Sequence, residues 1–282
     1  MSRLKTISSV CTVALSVLLS MTLLTDASAM NKKKGKKKKG QFAGKMKRQA
    51  KAPYDHYEQK GLFTTGLTPV FPAGVECPPI SSPYGSKTRY DGSSRNNDHH
   101  GYHNGMDISL DAGTPVLSVA DGDVIHKGTA GQLVGSFVWL RYAPQDTGVP
   151  NYIFARYQHL DEPSSLNVGD KVKAGQTVGL GGNTGTTGGH FGSRGYPHLH
   201  LVFYTGPTAD YTILGDGPML GPKSLNYLDP MGLYLGGAPA ADNHALRDLP
   251  DAQKAVSVPV KLASGQMLPK DAKLTWPLAC QN

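Results

Sequence analysis

The sequence predicts an all-β fold built from short antiparallel strands, and three observations carry that prediction. Apolar residues make up 39% of the 282-residue chain, enough for a core, while 34 Gly and 20 Pro call for many turns. Between residues 66 and 235, β-branched and aromatic runs recur roughly every ten to twenty residues, with Gly-Asp or Gly-Asn between them. No stretch combines a sustained helical apolar period with helix caps, so few or no helices are expected.

In chain order the strands are PVLSV at 115–119, GDVI at 122–125, FVWLRY at 137–142, YIFARY at 152–157 and HLHLVFY at 198–204. Their Val, Ile, Phe, Tyr and Trp side chains suit a pleated, half-buried surface. Trp139 and the strand Phe residues belong in the core by default. Gly122-Asp123 and Gly169-Asp170 read as turns, where glycine supplies a positive φ and aspartate binds nearby backbone N–H groups. Gly181, Gly182, Gly185 and Gly188 read as tight turns rather than a phosphate cradle, because no helix follows them. After Gly236 the chain carries only short extended pieces, at 256–262 and 274–278. Such a stretch holds too little core to fold alone and is expected to pack on the domain as an extension.

The N-terminus has a different texture. Arg3 and Lys5 precede a mostly apolar run at 10–24, and Ala27-Ser28-Ala29 follows. That is the pattern of a secretory signal peptide cut after Ala29; the apolar run is short for the ~20 residues a membrane span needs. Export places the mature chain in an oxidising compartment. Cys11 would leave with the signal, and the remaining even pair, Cys77 and Cys280, is expected to form a disulfide; two free thiols would suit a cytosolic protein instead.

The formal net charge of +8 is concentrated in one place. Residues 30–54 hold eleven basic groups (ten Lys and Arg48) and no acid, so the remainder is net acidic. A dense like-charge run with little apolar content is expected to be disordered. It can tether the protein to an anionic surface or serve as a spacer. Nucleic acid is not an expected partner, given export and the acidic remainder.

Three fragments carry chemistry. His103 and Asp107 lie four apart just before a strand. His198 and His200 lie two apart within a strand and so share a face. His159 ends the segment ARYQHL. Zinc-assisted hydrolysis needs three protein ligands of N and O type, an open position and a neighbouring base. Two imidazoles and one carboxylate make such a set, and two further imidazoles could move a proton and stabilise an oxyanion. Each fragment recurs by chance; their joint occurrence carries the reading.

The surrounding text resembles the lysostaphin/LytM-type zinc endopeptidases, which act on peptidoglycan. The segments HNGMDISLDAGTPVLSVADGDV, ARYQHL, VGDKVKAGQTVGLGGNTGTTGG and PHLHLVF follow in the family's order over about residues 80–205. The resemblance implies an antiparallel β-sandwich with a groove over the main sheet and long loops. It implies one Zn2+ per chain held by His103, Asp107 and His200, with His159 and His198 as catalytic partners. It implies cleavage of peptide bonds in stem peptides or cross-bridges of peptidoglycan, in the periplasm or outside the cell. A catalytically silent wall-binding or regulatory module is the alternative, but such relatives typically lack ligands that are all present here.

Two departures stand out. Residues 187–196 lengthen the loop before His198, and Asp98-His99-His100 adds two imidazoles near His103. His99, His100 and His190 read as solvent-facing, and His126 and His244 have no partner pattern. Four segments result: a signal peptide at 1–29, a basic arm and linker at 30–65, the peptidase domain at 66–235 and the extension at 236–282.

Overall fold

The computed structural model describes residues 54–95, 101–186, 195–219 and 226–282. The expected signal peptide, nearly all of the basic arm, His99, His100, His190, Gly188 and most of the lengthened loop lie outside the described residues.

Short β-branched and aromatic runs, buried on both faces in the central strands, produce one large sheet. Its eight strands are β1 (Ile80–Ser82), β2 (Met106–Ser109), β3 (Gly122–Thr129), β4 (Ser136–Tyr142), β5 (Tyr152–Leu160), β6 (Lys171–Val172), β7 (His198–Gly206) and β8 (Asn226–Leu228). They lie in the order β1-β2-β7-β5-β4-β3-β6, with β8 beside the second half of β7. Every pairing in this sheet is antiparallel. The fold is all-β, as expected. Helices among the described residues are short: Tyr54–Gln59, Pro144–Thr147, Asn243–Arg247 and a 3-10 turn at Pro230–Leu235. None is long and apolar enough to cross a membrane.

Side chains alternate across a strand, so each strand feeds two faces. One face buries Val138, Leu140, Ala155, Tyr157, Leu199 and Leu201 in the main core. A two-stranded ribbon, Pro115–Leu117 with Thr177–Leu180, covers this face and adds Val116 and Val178 to the same core. This second layer makes the sandwich. The opposite face carries Phe137, Trp139 and Phe154 in a smaller apolar cluster. Near these rings, the same face turns polar.

The extension enters the main core. Strand Ala255–Ser257 pairs in parallel with Thr68–Val70, and Val256, Val258, Val260, Leu262, Trp276 and Leu278 are buried. Removing a buried Trp or Phe side chain costs about 3–5 kcal/mol, so Trp276 alone makes this segment integral to stability. Cys77 and Cys280 form a disulfide that spans 203 residues. Closing so long a loop restricts the unfolded chain by an amount on the order of 5 kcal/mol in the chain-entropy account.

Two local expectations are corrected. Gly122 and Asp123 are strand residues of β3, paired with Val172 and Lys171, not a turn. Gly122 answers a close approach: a Cβ there would meet the Tyr142 ring at 2.5 Å and the Arg141 carbonyl at 2.6 Å. Asp123 instead forms ion pairs with Arg141 and Lys171. Gly169, by contrast, has φ 97° and Asp170 accepts from Asn167 N–H, as a turn requires. The second correction concerns residues 54–65, read as the end of a linker. They begin with a helix, and Leu62 and Phe63 are buried against Tyr84 and Tyr102. A local excess of apolar and aromatic residues here suffices to order this segment against the domain.

Candidate active site

The site forms where β2 and β7 pair. Their register sets Asp107 opposite His200 and Ser109 opposite His198. Directly opposed residues share a face, so the carboxylate and both imidazoles point away from the main core. His103, in the loop before β2, completes the group. Asp107 Oδ1 lies 2.7 Å from His200 Nδ1 and 3.1 Å from His103 Nε2, and the two nitrogens are 3.1 Å apart. All three residues are buried.

Two imidazole nitrogens and an anionic oxygen converging on one point are donors that a divalent ion satisfies. The surroundings prepare them for it. A carbonyl can only accept, so the 3.0 Å contact to Pro83 O puts the His103 proton on Nδ1 and leaves the Nε2 lone pair facing Asp107. Burial pulls the His200 pKa well below its ordinary value, which keeps the ring neutral. Burial pushes Asp107 up, but the neighbouring imidazoles of His103, His198 and His200 outweigh it. Asp107 therefore titrates well below the usual carboxylate range. Gly105 makes room: a Cβ there would come within 2.6 Å of Leu201 O and 2.9 Å of His200 Nε2. These residues fit a zinc-type ion.

His159 and His198 flank the triad. Their ring centres are 4.7 Å apart, and His159 lies 5.8 Å from the ring of His200. His198 Nδ1–H donates to Tyr196 O and His159 Nδ1–H to Thr184 O, both at 2.8 Å. In both rings the Nε2 lone pair is thus the free one. Burial, with His198 nearby, lowers the His159 pKa to about 3, so this ring is neutral at ordinary pH.

A groove of about 300 Å³ runs over this face, lined by the five residues together with Tyr90, Leu133, Gln158, Tyr204 and Asp216 among others. The structure brings together all five residues singled out from the sequence. His126 packs instead on Phe137, and His244 on Phe63.

Sequence reasoning missed several contributors. Arg95 Nη2 reaches Asp107 Oδ2 at 3.4 Å and donates to Ser82 Oγ at 2.9 Å. It thereby engages the carboxylate oxygen that faces away from the imidazoles. Tyr196 stacks on His198 with centres 4.5 Å apart, and its hydroxyl meets Ser81 Oγ at 2.5 Å. Tyr196 sits two residues before His198 and could have been flagged by that proximity. Arg95 offered no such signal, because its loop has no periodicity.

Residues 101–210, which contain all five site residues, match the family model of Peptidase family M23. Peptidoglycan DD-endopeptidase ShyC of Vibrio cholerae is 34% identical over 101 residues, covering 36% of this chain and 20% of the relative. Glycyl-glycine endopeptidase ALE-1 of Staphylococcus capitis is 32% identical over 127 residues, covering 45% of this chain and 31% of the relative. This chain thus spans less than a third of either curated relative. Among solved structures, the catalytic domain of the antimicrobial peptidase lysostaphin from Staphylococcus simulans is 24% identical, with 54% of this chain and 86% of that chain covered and a TM-score of 0.35. The similarity to Peptidase family M23 thus spans residues 101–210 and, with them, the whole site.

Proposed function

We propose that this protein is an exported zinc endopeptidase that hydrolyses peptide bonds in the stem peptides or cross-bridges of peptidoglycan. The observation that supports it most is the convergence of His103, Asp107 and His200 at one buried point beside a groove, with two more imidazoles at hand. One Zn2+ per chain at these ligands, when bound, would supply Lewis acidity to a scissile carbonyl and to water. The groove would hold an extended peptide across the sheet face. Of His159 and His198, each with Nε2 free, one would take the proton from water at Nε2, and the imidazolium so formed would then donate to the developing oxyanion. Their carbonyl partners hold Nδ1–H in both rings and so leave Nε2 as the atom that exchanges protons.

The test is digestion of purified sacculi of several wall types, with products identified by mass spectrometry. Release of cross-bridge or stem-peptide fragments, blocked by a chelator, is the expected result. Binding to sacculi without any fragment release would favour the silent wall-binding module instead.

Export through residues 1–29 and surface attachment through residues 30–54 complete the proposal. Eleven cations on a chain too polar to fold, ahead of a net acidic remainder, should concentrate the enzyme on an anionic surface. Deleting 30–54 is expected to lower retention on intact walls or anionic vesicles at low salt, and to leave cleavage of a small soluble peptide nearly unchanged. With a Debye length of ~8 Å at physiological salt, retention of the full form should also fall steeply as salt rises. Equal retention of both forms at low salt would reduce the arm to a spacer.

A further inference from the structure

We infer that Thr184 is a positioning residue that holds His159 in its working orientation; the inference rests on the function proposed above. Strict alternation along β5 would turn His159 to the face that carries Ala155 and Tyr157, into the main core. The structure avoids this with a bulge. His159 adopts φ 64°, and the β4–β5 register slips so that Ser136 faces Leu160 while Phe137 faces Gln158. The slip sends Leu160 into the core and releases His159 to line the groove beside Gln158. A non-glycine residue keeps a left-handed backbone only where its surroundings over-determine it.

Thr184 supplies that determination. Its Oγ1 accepts from Ser136 N–H at 2.8 Å and donates to Leu160 O at 2.5 Å, so the hydroxyl stands between the two residues opposed at the slip. Its carbonyl accepts the His159 Nδ1–H. One residue therefore binds both strands at the bulge and the imidazole that the bulge exposes.

The loop that carries Thr184 is itself clamped. Leu133 N–H donates to Gly185 O at 2.7 Å, and Gln158 Nε2 donates to Leu133 O at 3.1 Å. Gly135 and Gly185 have φ 65° and 69°, and a Cβ on Gly135 would come within 2.1 Å of Thr184 O. The carbonyl that orients His159 thus has little room to drift while the hydroxyl keeps its two bonds. Without the hydroxyl, Ser136 N–H and Leu160 O lose their shared partner and the bulge is free to relax.

The experiment compares Thr184→Val, which keeps shape and removes the hydroxyl, with Thr184→Ser, which restores it. Both are made in the wild-type and His159→Ala backgrounds. Thr184→Val is expected to lower kcat about 10–100-fold, since small misplacements of a reacting group cost up to about 10²-fold. KM should stay within about twofold, and zinc content should stay unchanged. Thr184→Ser should recover most of the loss. In the His159→Ala background Thr184→Val should add nothing, because the effect acts through that ring.

A Thr184→Val enzyme with wild-type kcat, or one that slows the His159→Ala background by the same factor, overturns the inference. His159→Ala with full activity overturns both it and the catalytic role of His159; slow His159→Ala with normal Thr184→Val overturns the inference alone. Should Thr184→Val fail to fold, nitrogen-15 spectra of the wild-type protein decide. The inference requires His159 protonated on Nδ1, and a ring protonated on Nε2 refutes it.

Discussion

Replacing His200 with alanine is expected to leave the protein folded, free of zinc and without hydrolytic activity. Three ligands are the fewest that hold a catalytic zinc while keeping a position open, so none is spare. His200 is also the residue through which the sheet presents a ligand to Asp107, directly across the β2–β7 ladder at 2.7 Å. His103→Ala and Asp107→Ala should behave alike, because each removes one of three converging donors. Metal content measured on purified protein should fall from about one zinc per chain toward none. An independent readout follows from linkage: a ligand that binds only the native state at 100 times its Kd stabilises it by about 2.7 kcal/mol. Added zinc should therefore raise the melting temperature of the stripped wild-type protein and leave that of His200→Ala unmoved. Full zinc occupancy in His200→Ala would show that the ligand assignment is wrong.

The second large effect separates catalysis from ligation. His159→Ala and His198→Ala should keep zinc nearly as the wild type does and turn over about 10²–10⁴-fold more slowly. Neither ring contributes an atom to the converging triad, yet both present a free Nε2 to the same groove. His198 Nε2 lies 3.7 Å from Asp107 Oδ1, so its removal should change metal affinity more than removal of His159 does. Steady-state rates on a soluble peptide, beside metal analysis of the same samples, check the prediction. Undiminished rates in both variants would leave the proposed proton transfers without agents.

Much of this site is legible in the amino-acid sequence. The two-residue spacing of His198 and His200 puts both on one face of any strand, whatever the strand pairs with. The spacing of His103 and Asp107 before an apolar run places a second pair at a strand entry. The even pair left once Cys11 is assigned to the expected signal peptide anticipates the Cys77–Cys280 disulfide that the structure contains. These are short-range or counting properties, and the chain carries them locally.

Tertiary structure decided the rest, because it depends on which distant segments meet. The face that received His198 and His200 became a site only when the β2–β7 register brought Asp107 opposite His200; a slip by one residue would have turned it away. The orientation of His159 could not be read from alternation, which pointed it into the core. A left-handed backbone and the slipped β4–β5 pairing reversed that, supported by Thr184 from 25 residues further on. Arg95 and Tyr196 joined through loops whose paths no periodicity encodes. Gly122, read as a turn, proved to be a strand residue paired with Val172, and the Tyr142 ring occupies the space a side chain would need. The amino-acid sequence by itself determined which donors exist and which of them share a strand face. Long-range pairing, one bulge and loop packing determined that they meet within hydrogen-bonding distance, because side-chain direction is local while strand register and contact are not.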